Sequence, residues 1–153
     1  HKTFSTMKNH LFLIALFLAA GSLQAQDLAS EMTAVGNAWK AAFERSDASA
    51  LAALYAEKVE FVNADGSVST ATRADVKASW AKTFAANTGT FEFADDMTAT
   101  LLSEGKANTK GSFTQTITNK ETGETTTFKG RFDHHAVKVD GKWLLSRMKV
   151  TPQ

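Results

Sequence analysis

Between Asp27 and Arg45 the apolar residues recur at steps of three and four: Leu28, Met32, Val35, Trp39, Ala42 and Phe43. That spacing places them on one stripe and predicts a helix with a single buried side. Ser46 or Asp47 can cap a second, shorter helix in DASALAALYAE, with Leu51, Leu54 and Tyr55 as its apolar side. Val59 to Val62 reads as a short strand, and Asn63-Ala64-Asp65-Gly66 as a turn. Thr72-Arg-Ala-Asp75 has the form of a capping box, which predicts a third helix lined by Val76, Trp80 and Phe84. From Gly89 the period becomes two. Phe91–Phe93, Met97–Leu102, Gly111–Thr118, Thr125–Val139 and Lys142–Val150 are strand candidates rich in Thr, Phe and Val, and Gly105, Gly123 and Gly141 separate the later ones. Three helices followed by a run of antiparallel strands is an α+β arrangement, with helices on one face of a curved sheet.

The last two strands carry the most information. Asp140-Gly141 is a strong two-residue hairpin signal, because both central positions of a type I′ turn need φ > 0. A two-residue loop sets the register: Val139 opposes Lys142, Val137 opposes Leu144, His135 opposes Ser146, Asp133 opposes Met148 and Arg131 opposes Val150. Opposed residues share a face. One face therefore holds Val137, Val139, Leu144, Met148 and Val150, with Arg131, Asp133, His135 and Ser146 embedded among them. An apolar face with a few ionisable groups predicts the wall of a small-molecule pocket.

The chain has 153 residues, with 17 Lys+Arg against 16 Asp+Glu. Residues 1–6 read as upstream sequence. Met7, the basic Lys8, the apolar run Leu11 to Ala20 and the small residues up to Ala25 have the pattern of a secretory leader. A cut after Ala25 leaves residues 26–153 as one domain, and predicts an exported protein, periplasmic or secreted. The apolar run is too short for a membrane span, so no membrane attachment is expected after cleavage. Lys2 and Lys8 precede the cut and no acid does, so the mature chain carries 15 basic and 16 acidic side chains. That balance gives no electrostatic reason to expect nucleic acid. The chain contains no cysteine, which removes disulfides, thiolate metal sites and cysteine nucleophiles.

Three stretches carry a family resemblance. They are Trp39 with AAFERSDASALAALYAEKVEFVNADG, the helix start TATRADVKASW, and the closing VDGKWLLSRMKV. In their order and spacing the chain resembles the nuclear transport factor 2-like superfamily and, within it, the SnoaL-like proteins, over Asp27 to Pro152. The resemblance implies a cone-shaped α+β barrel, three helices packed on a strongly curved antiparallel sheet. It also implies a pocket between helices and sheet, and homodimers through the outer sheet face. The ketosteroid isomerases of this superfamily provide a residue-level comparison. Their general-base aspartate falls at Asn63, their oxyanion-hole tyrosine at Trp39 and their oxyanion-hole acid near His135. Asn63 cannot serve as that base, and Asp65 is the nearest substitute.

Arg131, Asp133 and His135 follow one another at i, i+2 and i+4, about 6.6 Å per step on one strand face. This predicts a proton-transfer histidine, His135, tuned by Asp133, with Arg131 holding an anionic or carbonyl group. Trp39, Tyr55, Asn63, Trp80 and Ser146 complete the expected ligand-binding set. His134 and His135, as strand neighbours, point to opposite faces and cannot close on one ion, so neither a metal nor a cofactor is expected. Three functions fit these residues. One is an exported domain binding a small, largely apolar molecule. Another is an isomerase, lyase or cyclase using His135 with Asp133. The third is a non-catalytic dimerisation module.

Overall fold

The computed structural model describes residue 25 and residues 27–153. The expected leader lies outside the described residues, apart from residue 25. Helix α1 spans residues 27–44 and buries Leu28, Met32, Ala42 and Phe43, with Val35 and Trp39 part-buried between them. It stops where Ser46 takes a left-handed φ of 57°. There the Ser46 and Asp47 amides donate to the Phe43 and Ala42 carbonyls at 3.0 and 2.9 Å. This closure satisfies carbonyls that the last turn would otherwise leave open. The Asp47 carboxylate then accepts from the Ala50 amide and caps α2, Ala48–Ala52.

Helix α2 is shorter than the expected DASALAALYAE. Its chain leaves the helix before Tyr55 and enters strand β1, Tyr55–Val62. The Leu54 carbonyl accepts from the Leu145 amide, and Tyr55 and Val59 turn inward to full burial. Packing against the last strand outweighs helix propensity there. Strand β2, Val68–Thr72, was not expected from its polar VSTAT sequence; it exists because it pairs with β1 across the Asn63–Gly66 turn. Thr72 then caps α3, Arg73–Ala86, with both halves of the capping box formed with Asp75. The later strands are β3 (Asn87–Phe93), β4 (Thr98–Ser103), β5 (Lys106–Asn119), β6 (Thr125–Val139) and β7 (Lys142–Pro152).

The seven strands form one sheet in the order β2-β1-β7-β6-β5-β3, with β4 also on β5. All pairings are antiparallel except β1 with β7, which is parallel. The sheet is therefore mixed and open rather than wholly antiparallel, because the chain reaches β1 from the helices and returns to it only at its end. The helices pack on the concave side. One core cluster joins Phe43, Leu51, Tyr55, Val59, Val76 and Phe84 to Phe91, Phe113, Phe132 and Leu145. A second joins Leu28 and Met32 to Ala107 and Ala136. The two alanines, paired across β5 and β6, keep the sheet low enough for the first turns of α1 to lie directly on it.

Candidate active site

The closing ribbon begins as expected. Asp140 and Gly141 have φ of 50° and 77°, and Val139 opposes Lys142, Lys138 opposes Trp143 and Val137 opposes Leu144. Past Ala136 opposite Leu145 the register slips. His135 opposes Arg147 and not Ser146, Phe132 opposes Val150, and Arg131 opposes Thr151. Ser146 is the extra residue of a β-bulge, which inserts one unpaired position and reverses the facing of the β7 residues beyond it.

Strand β6 keeps its even alternation, so the bulge carries Met148 and Val150 onto the face of Phe132 and His134, and it is this face that turns inward. The concave face carries Phe132, His134, Ala136, Leu145, Met148 and Val150, and all but Ala136 line the cavity. Val137, Val139 and Leu144, expected on this face, lie on the other side of the ribbon. His135, Asp133 and Arg131 also lie on the outer face, and Ser146 marks the bulge, so none of these four reaches the cavity. Asp133 accepts from the Asn108 side chain at 2.6 Å. Arg131 is exposed, opposite Ser112 and Thr151. Asn63 is exposed on the β1–β2 turn, where its amide donates to Ser67 and Ser69. Asp65 holds the same turn by accepting from Ser67, so neither residue faces the cavity.

The cavity has a volume of about 290 Å³. Helix α1 contributes Met32, Val35, Gly36 and Trp39 at helical spacing, and α3 contributes Trp80. Strands β1, β3, β5 and β6 supply Tyr55, Phe61, Phe91, Phe93, Phe113 and Phe128. Trp39 is the hub of this aromatic wall: its ring centroid lies 5.2 Å from Phe43, 4.8 Å from Phe91 and 5.8 Å from Trp80. Trp39, Tyr55 and Trp80 are thus brought together, whereas Asn63, Arg131, Asp133, His135 and Ser146 are not.

The wall contains no Asp, Glu, Lys or Arg. Its polar groups are Tyr55, Thr109, Gln115 and His134. The Tyr55 hydroxyl accepts from the Trp39 indole at 3.0 Å. Burial pushes its pKa up, partly opposed by the Trp39 and Trp80 N–H groups, so it is a neutral phenol that keeps its own proton. His134 stacks on Phe132 with ring centroids 5.3 Å apart, and its Nδ1 accepts from the Lys149 amide at 3.1 Å. Burial lowers its pKa to about 4, against the opposing pull of Asp133 and with help from His135. It is a neutral imidazole whose proton is on Nε2. Thr109 is opposite His134 in the β5–β6 pair, buried, and its hydroxyl has no hydrogen-bond partner.

An even count along β7 hides His134 and Thr109, because it groups Met148 and Val150 with His135 and makes the outer face look like the apolar one. One signal could have exposed the bulge: Phe132, Ala136, Leu145, Met148 and Val150 share a face only if one residue of β7 is skipped. That face is more uniformly apolar than the one an even count yields. Among the described residues no group of His, Asp and Glu is placed to hold a metal ion, and no helix is long and apolar enough to cross a membrane.

A curved sheet wrapped on helices, with an aromatic-lined cavity between them, defines the cone-shaped α+β class of the nuclear transport factor 2-like proteins. The chain matches the SnoaL-like domain over residues 27–149 and belongs to that family. Solved structures agree on the fold. A provisionally assigned scytalone dehydratase from Novosphingobium aromaticivorans is 17% identical with a TM-score of 0.71, covering 81% of this chain and 83% of its own. A provisionally assigned dehydratase of the nuclear transport factor 2-like family from Streptomyces avermitilis is 16% identical, TM-score 0.70, covering 84% and 98%. A nuclear transport factor 2-like superfamily protein from Salmonella enterica is 13% identical, TM-score 0.71, covering 83% and 92%. No curated protein sequence matches the chain.

Proposed function

We propose that this is an exported binding domain whose cavity takes up one small, uncharged, largely apolar molecule. The observation that carries this reading is a cavity of about 290 Å³ walled by aromatic and aliphatic side chains and free of ionised groups. Such a wall favours transfer of apolar surface from water, and its few neutral polar atoms orient the ligand. The reading is tested with 1-aminoanthracene, a neutral probe that fluoresces in apolar surroundings. Saturable binding at one equivalent is expected, abolished by Val35→Trp, which fills the cavity from α1. Binding that is unaffected by Val35→Trp would place the probe elsewhere and end this reading.

Proton transfer by His135 with Asp133 loses its support, because both lie across the sheet from the cavity. His134 does not replace them as a base. Its Nδ1 is occupied by the Lys149 amide and its Nε2 carries the proton. With no carboxylate in the wall, isomerisation would lack an acceptor for the proton removed. The dehydratase assignments of two structural neighbours support small-molecule handling by this architecture, without extending their chemistry to this chain.

Export rests on the leader pattern of Met7 to Ala25. Terminal sequencing of the protein from a bacterial periplasm or culture medium should begin at Gln26; an intact leader there would remove the export reading.

A further inference from the structure

We propose that Thr109 and His134 form a polar head inside the cavity that selects ligands carrying a neutral ketone or hydroxyl oxygen. This rests on the cavity-binding reading above and adds to it the chemistry of the ligand's polar end. Thr109 and His134 are directly opposed on neighbouring strands and both line the cavity. The Thr109 side-chain oxygen is buried and has no partner, an arrangement that is unfavourable unless something supplies one. Every other buried side-chain oxygen or nitrogen among the described residues has a partner, so the exception marks this spot.

His134 sets the polarity of the head. Because Nδ1 accepts the Lys149 amide, the ring presents Nε2–H as a donor, and among the described residues Nε2 has no acceptor. A ketone oxygen has two lone pairs, one for Nε2–H and one for the Thr109 hydroxyl. A ligand hydroxyl can accept from Nε2–H and donate to Thr109. A carboxylate is selected against, since no Lys or Arg lines the wall to offset its desolvation. Met148 and Phe61, paired across β7 and β1, carry the apolar wall onward from this head and leave room for a carbocyclic body.

The test uses four molecules on one rigid skeleton: fluorene, 9-fluorenone, 9-fluorenol and fluorene-9-carboxylate. Binding is read by quenching of tryptophan fluorescence and by calorimetry, on wild type and on Thr109→Val, Thr109→Ser, His134→Phe and His134→Gln. In the wild type, fluorenone and fluorenol should bind at least about fivefold more tightly than fluorene, and the carboxylate more weakly than either. The fluorenone-to-fluorene ratio should fall to about one in Thr109→Val and His134→Phe. It should be largely retained in Thr109→Ser and His134→Gln, which keep a hydroxyl and a donor and so separate lost recognition from lost folding. Fluorene binding as tightly as fluorenone, or a ratio that survives both Val and Phe, overturns the polar head and leaves the cavity reading intact. Tightest binding by the carboxylate overturns it as well. If no member of the series binds, both readings fall.

Discussion

The Nδ1 atom of His134 accepts the Lys149 amide, so protonating it would set a new donor against an existing one. Burial favours the neutral ring, whose pKa falls from 6.5 to about 4, with Asp133 opposing and His135 adding to the shift. The unfolded chain takes up this proton near pH 6.5 and the folded chain near 4, so stability should fall as pH drops through that window. At about 1.4 kcal/mol per pH unit, discounted for the ring's partial exposure, the loss is about 1–3 kcal/mol. Urea unfolding at about pH 7.5 and about pH 4.5 measures it. His134→Gln should remove most of this slope, and an unchanged slope would mean that the ring is not held neutral. The carboxylates act in a separate window. Asp75 and Asp96, with pKa lowered by Thr72 and Ser112 respectively, lend stability above about pH 3.8 that disappears only as pH falls further. His134 and Thr109 were not legible as site residues, since nothing in the HH pair says which ring turns inward. Trp39, Tyr55 and Trp80 were legible as candidates for an aromatic cavity because helical periodicity already gave each an inner side, although Tyr55 in fact opens β1.

Among the elements, β7 carries one surplus residue. Ser146 lets Leu145 and Met148 both face inward, although three positions separate them. Deleting Ser146 would restore an even ladder in which Leu145, Met148 and Val150 still face inward and Arg147 still faces outward. The expected outcome is a retained cooperative fold with a native-like near-ultraviolet circular dichroism spectrum; collapse of that spectrum would show that the bulge itself, and not only the facing it permits, is required. Strand β3 has a different constraint. A Cβ at Gly89 would lie 2.5 Å from Cζ of Phe43, a ring almost wholly buried. Gly89→Ala should therefore cost about 1–3 kcal/mol through overpacking, measured by chemical denaturation. The start of α3 tests the opposite case, a feature fully readable in TRAD. Thr72→Ala removes the hydroxyl that accepts from the Asp75 amide and should cost about 1 kcal/mol. Helix α2 was overextended and β2 overlooked for one shared reason: both segments take their conformation from the strands they pair with.

At the scale of the whole molecule, the outer sheet face is the surface on which SnoaL-like chains are expected to dimerise. Here it carries the half-exposed Val139 beside Arg131, Asp133 and His135. Sedimentation at micromolar concentration should give a homodimer, and a monomer across that range would remove the dimer from this account. The sequence by itself determined the α+β class, three helices, the late strands, the type I′ turn and the capping box, because each depends on neighbours within a few residues or on a simple period. Only the tertiary structure decided which strands share an edge, where the last ribbon loses its even count and which imidazole faces the helices. Those outcomes depend on packing between segments about a hundred residues apart. There a one-place slip costs little locally, yet it exchanges the two sides of a strand.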